Sequence, residues 1–94
     1  MRYRATSPAS AGEAQTVTIQ DFAFTPQTLT IAAGTTVTWT NNDASPHTST
    51  SSNGAWDSGN LNQGESFSFT FTTPGTYDYV CIYHGGMSGT IIVT

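Results

Sequence analysis

Gly75-Thr76-Tyr77-Asp78-Tyr79-Val80-Cys81-Ile82-Tyr83-His84-Gly85-Gly86-Met87-Ser88-Gly89-Thr90-Ile91-Ile92-Val93 is the stretch that decides the fold. Its first part alternates, with Tyr77, Tyr79 and Cys81 on one side and Thr76, Asp78 and Val80 on the other. That period of two belongs to a strand with one buried face. Ile91 and Val93 resume the pattern near the C-terminus. Between the two runs lies a turn in which Gly85 and Gly86 lower the steric cost of bending and Gly89 lets the chain re-enter a strand.

Working outward, the same alternation recurs. Val17 and Ile19 alternate with Thr16 and Thr18, and Leu29 and Ile31 follow Pro26 in a run that ends at Gly34. Val37 and Trp39 share one face while Thr36, Thr38 and Thr40 share the other. Phe67, Phe69 and Phe71 oppose Ser66, Ser68 and Thr70. No window shows a sustained helical period. Short strands with apolar-in, polar-out alternation predict an all-β fold, an antiparallel β-sandwich. Trp39 and the three phenylalanines are expected to fill its core. Tyr77, just past the Pro74-Gly75 turn, is placed for a tyrosine corner. The segment from Asn41 to Gln63 is different, with little alternation and much Ser, Asn, Asp and Gly. A loop of that length is expected to be functional or disordered.

The chemistry concentrates in Cys81, His84 and Met87, a thiolate donor, an imidazole and a thioether within seven residues. Soft sulfur combined with imidazole favours copper, and two His with one Cys and a weak axial Met is the blue-copper donor set. The second imidazole must come from elsewhere, and His47 is the other histidine of the chain. Pro46 restricts the backbone just before it. Structural zinc prefers more thiolate or histidine and does not use thioether. The expected metal ligands are therefore His47, Cys81, His84 and Met87, around one copper of type 1 cycling between Cu(I) and Cu(II).

The 94 residues make one domain, and the charge distribution excludes one class of partner. Both basic residues, Arg2 and Arg4, lie in the first four positions; from Thr16 onward the formal charges are Asp21, Asp43, Asp57, Glu65 and Asp78. A domain without cations cannot hold a phosphate backbone, so nucleic acid is excluded as a partner. The carboxylates read first as solvated turn residues, and as a steering field they would suit a basic protein. The single cysteine forbids an intrachain disulfide. Residues 1–15, rich in Ser, Ala, Pro and Gly and lacking an apolar stretch, are expected to be a flexible tether, with the folded domain spanning 16–94. A leader or membrane anchor is expected upstream of Met1.

At these residues the chain resembles the cupredoxins, over about Thr16 to Thr94. The resemblance is carried by Phe24-Thr25-Pro26, Gly34-x-x-Val37-x-Trp39-x-Asn41, Pro46-His47, Asp57-Ser58-Gly59, Gly75-x-Tyr77-x-Tyr79-x-Cys81 and Met87-x-Gly89, which look like the plastocyanin group. The two-residue gap between His84 and Met87 is similar to amicyanin and pseudoazurin. The resemblance implies an eight-stranded Greek-key β-sandwich with copper at one end, bound through Nδ1 of His47 and His84, with the His84 ring edge near the surface. Two positions depart from the pattern. Thr48 follows the first ligand histidine where asparagine is common, and its hydroxyl is expected to keep part of the tie between the ligand loops. Tyr83 precedes the second where proline is common, and is expected to shield the copper or join a docking surface.

The implied function is outer-sphere transfer of single electrons between transient protein redox partners, by a periplasmic or extracellular monomer that meets them through a patch around His84, Tyr83, Gly85, Gly86 and the loop near Pro46. The alternative is a periplasmic copper-binding carrier module. An enzyme is not expected, because oxidase and reductase chemistry needs further copper ions and many more histidines than two.

Overall fold

Alternating runs of this kind can bury their apolar faces only by pairing two layers. In the computed structural model, which describes residues 13–94, the strands are β1 (Ala14–Gln20), β2 (Ala23–Thr25), β3 (Thr28–Ile31), β4 (Thr35–Asn41), β5 (Thr50–Ser51), β6 (Ser66–Phe71), β7 (Gly75–Val80) and β8 (Ser88–Val93). They form two four-stranded sheets, ordered β2-β1-β4-β6 and β3-β8-β7-β5. The first strand starts two residues ahead of the expected Thr16, and residues 1–12 of the proposed tether lie outside the described residues.

Pairing is antiparallel for β1–β2, β4–β6, β5–β7 and β7–β8. It is parallel for β1–β4 and β3–β8. The sandwich is therefore mixed rather than purely antiparallel. After the β1–β2 hairpin the chain crosses to the second sheet for β3 and returns for β4, and such a crossover brings β4 alongside β1 in the same direction.

The inner faces are those the alternation marks. Val17, Ile19, Val37, Trp39 and Phe71 from one sheet meet Ile31, Tyr79, Ile91 and Val93 from the other, all buried. Phe67 and Phe69 are half-buried against this cluster, so the phenylalanine ladder grades from core to rim. On the outer face, Thr36, Thr38 and Thr40 pair across strands with Thr70, Ser68 and Ser66 through hydroxyl contacts of 2.7, 2.7 and 2.8 Å. Such same-face pairs reinforce the register. The Tyr77 hydroxyl donates to the Thr73 carbonyl at 2.6 Å, the expected tyrosine corner.

The segment between β4 and β6 is not a loose loop. It contributes β5, bridges His47 to Leu61 and Thr50 to Asp57, and buries Trp56 and Leu61. The Trp56 ring stacks on Trp39 at 5.4 Å, and its Nε1 donates to Ser49 Oγ at 2.9 Å. The polar composition hides this, because two apolar side chains among many polar ones, Trp56 and Leu61, fold the segment onto the sandwich.

Tyr79 lies at the centre of the molecule, edge-on to Trp39 at 5.5 Å and to Phe24 at 4.7 Å. Its ring end covers Gly89, the partner opposite it on β8. A Cβ at Gly89 would sit 2.5 Å from the ring, so this position needs glycine for room. Burial pushes the Tyr79 phenol up from 10.0 to about 12, against a smaller lowering from nearby Trp39. Among the described residues neither the Tyr79 hydroxyl nor Trp39 Nε1 reaches a partner at hydrogen-bond geometry. Below pH 10 both folded and unfolded chains hold the Tyr79 proton. As pH rises from 10.0 toward about 12 only the unfolded chain has lost it, so stability falls over that window. The loss approaches roughly 3 kcal/mol at about 1.4 kcal/mol per pKa unit. Thermal melts across the window measure it, and Tyr79→Phe is expected to abolish this component.

Candidate metal centre

The centre forms where the segment after β4 meets the loop between β7 and β8. Asn41, the last residue of β4, is fully buried and organises the first of these. Its Nδ2 donates to the carbonyls of Ser45 (2.9 Å) and Leu61 (2.8 Å), and its Oδ1 accepts the Asp43 amide at 2.9 Å. The turn so formed delivers His47, whose amide donates to the Leu61 carbonyl at 3.0 Å while its carbonyl accepts the Leu61 amide at 2.8 Å. The imidazole is completely buried.

Cys81 directly follows β7 and is buried. Its amide donates to the Met87 carbonyl at 3.0 Å, and longer turn bonds of 3.4 Å run from the His84 amide to Cys81 and from the Met87 amide to His84. These close the seven-residue loop on itself and put Met87 into the core cluster, with His84 half-buried. Of the two adjacent glycines only Gly86 takes a left-handed φ, 83°. Only Gly86 therefore needs to be glycine for the bend.

The donor atoms converge. Cys81 Sγ lies 3.6 Å from His47 Nδ1 and 3.5 Å from His84 Nδ1, and the three atoms all fall within 4.8 Å of one another. Two ring nitrogens aimed at one buried sulfur fit a soft ion bound between them. Nδ1 is also the atom the resemblance implies for both rings. Met87 is buried, and its carbonyl accepts the Cys81 amide.

Thr48 joins the two segments. Its amide donates to Cys81 Sγ at 3.4 Å, and its hydroxyl accepts the Ile82 amide at 3.0 Å while meeting Thr50 Oγ1 at 3.0 Å. The hydroxyl thus keeps the tie expected of it. Tyr83 is 47% exposed, and its hydroxyl donates to Asn60 Oδ1 at 2.9 Å, which anchors the second loop to the first from outside.

Two participants escape a reading of spacing. Asp43 Oδ2 lies 2.9 Å from His47 Nε2. Burial alone would raise the Asp43 carboxyl, but the Phe22 and Asp21 amides and the His47 ring hold it below the ordinary 3.8. An ionised carboxylate can only accept, so Nε2 donates in this contact and Nδ1 is the ring nitrogen that faces Cys81 Sγ. Phe22 stands edge-on to both imidazoles, at 5.1 Å from His47 and 4.8 Å from His84. The only trace of these in the sequence is a carboxylate four residues before a histidine, which is common without function.

The Thr48 hydroxyl can be tested apart from the metal. Thr48→Val keeps the side-chain shape and the amide bond to sulfur but leaves the Ile82 amide without its acceptor. Urea denaturation is expected to register a loss of about 1 kcal/mol, and Thr48→Ser is expected to restore most of it.

The chain matches the cupredoxin-like domain over residues 2–93. It is 35% identical over 94 residues to amicyanin-alpha of Methylorubrum extorquens, covering 95% of this chain and 78% of that one. To plastocyanin of Scenedesmus fuscus it is 43% identical over 83 residues, covering 74% and 85%. The solved purple cupredoxin from Nitrosopumilus maritimus superposes with a TM-score of 0.79 at 33% identity, over 85% of this chain and 99% of that one. A copper-containing nitrite reductase from Thermus scotoductus superposes with a TM-score of 0.82 at 28% identity, over 100% of this chain but 25% of the reductase. In sequence and in fold alike, this chain belongs to the cupredoxin-like family.

Proposed function

We propose that this chain is a mononuclear type 1 copper protein that carries single electrons between partner proteins, with copper held by His47, Cys81, His84 and Met87. The observation that supports this best is the set of two Nδ1 atoms within 3.6 Å of one buried thiol. Its relatives amicyanin and plastocyanin, single-copper electron carriers, support the same reading. Bound there, copper would supply the one-electron Cu(II)/Cu(I) couple.

The work of the chain is to hold the donors still. Cys81 and His47 are buried and fixed through their backbones, so the surroundings change little between oxidation states. The Thr48 amide is the donor found at the sulfur, and a thiolate with so few donors keeps its charge available to the metal. Electrons are expected to pass through His84, the half-buried member of the set. Around it Phe22, Ile82 and Tyr83 are exposed apolar side chains, suited to a small and short-lived contact. With Asp43, Asp57 and Asp78 as fixed negative charges, the partner would be basic.

A role as carrier rather than enzyme is supported by the two histidines of the chain, since a reductase or oxidase needs ligands for further copper. A periplasmic or extracellular monomer is the setting this reading implies. Adding Cu(II) to the purified protein is expected to give an intense visible charge-transfer band, and Cys81→Ser is expected to eliminate it. A colourless or pale complex would instead identify a copper store.

A further inference from the structure

The β1–β2 hairpin turns through Asp21 and Phe22, both with positive φ, 55° and 56°. A two-residue hairpin of this type requires two left-handed residues, and its second place suits glycine or asparagine. Phenylalanine there is sterically unfavourable, and such strain persists only where the surroundings enforce it. Nor is the ring rewarded by burial in the core, for Phe22 is 51% exposed. Its contacts are with the two imidazoles, perpendicular to His47 (5.1 Å, 89°) and to His84 (4.8 Å, 85°).

What enforces the turn is Asp43. Its Oδ1 accepts the Asp21 amide at 2.8 Å, and its Oδ2 accepts the Phe22 amide at 2.9 Å. That same Oδ2 is the atom 2.9 Å from His47 Nε2. One carboxylate, with 12% of its side chain exposed, therefore joins a completely buried ring to a hairpin more than twenty residues earlier.

We propose that Asp43 is a positioning residue of the copper centre, which presents His47 Nδ1 to the metal and clamps the Asp21–Phe22 turn so that Phe22 caps both imidazoles. This assignment rests on the copper reading above and adds to it a cap and the group that holds the cap. The carboxylate keeps the proton on Nε2, raises the donor strength of the ring and adds a negative charge that favours Cu(II) over Cu(I). The Phe22 ring keeps water from the outer edges of the same two rings.

Phe22→Gly separates the cap from folding, because Asp-Gly is a favoured pair for this turn and the variant is expected to melt no lower than the parent. In the Cu(II)-loaded protein it is expected to speed the bleaching of the visible band by excess EDTA severalfold. Asp43→Asn is expected to weaken Cu(II) binding by roughly tenfold or more and to move the reduction potential upward. In the double variant the two effects on bleaching are expected to be less than additive, since the turn is already released. Bleaching by EDTA unchanged in Phe22→Gly, potential and affinity unchanged in Asp43→Asn, or strict additivity would each overturn the proposal. A parent protein without the intense band would instead overturn the copper reading beneath it, so the two failures are distinguishable.

Discussion

Everything at the metal centre depends on holding together two segments more than thirty residues apart, and Thr48 is where they join. Its amide reaches the Cys81 sulfur and its hydroxyl receives the Ile82 amide, so one residue constrains both the ligand atom and the backbone just after it. The Tyr83–Asn60 bond repeats the link at the surface. Rigid placement of this kind suits a site that must look alike to two oxidation states. A donor set free to rearrange would add reorganisation to every transfer.

The sandwich supplies the platform for that join. β7 runs through the centre of its sheet and releases Cys81 immediately beyond Val80, so the sulfur is aimed by the same alternation that buries Tyr79. Trp39 and Trp56 stack on each other beside Tyr79, and the Asn41 side chain ends β4 with three hydrogen bonds that shape the turn leading to His47. A buried amide so fully satisfied stabilises and also specifies, because no neighbouring arrangement would meet all of its partners. The strand core and the ligand loops thus form one packed unit.

Much of this was legible in the residues. The alternation gave six of the eight strands and their buried faces, whereas β2 and β5 are too short to show a period. Cys81, His84 and Met87 stand out as candidate donors because three ligand-type side chains sit on one short turn, a local arrangement that needs no knowledge of the fold. His47 followed from the inventory of donors. The Asn41–Gln63 segment, expected to be functional or disordered, is ordered and carries His47 and Thr48, and its polar composition conceals the anchoring by Trp56 and Leu61. The parallel pairings were also hidden, since period and turn chemistry are blind to which sheet a strand joins.

The amino-acid sequence by itself determined the longer strands, their buried faces and the inventory of proposed donors, because each depends on residue type and short-range pattern. Only the tertiary structure decided what surrounds those donors. The phenylalanine across both rings and the hydroxyl joining the loops lie twenty or more residues from what they touch, and the carboxylate four residues before His47 also holds a hairpin twenty-two residues earlier. Their meeting is set by how the two sheets pack, and no local pattern encodes a contact whose two halves are each ordinary on their own.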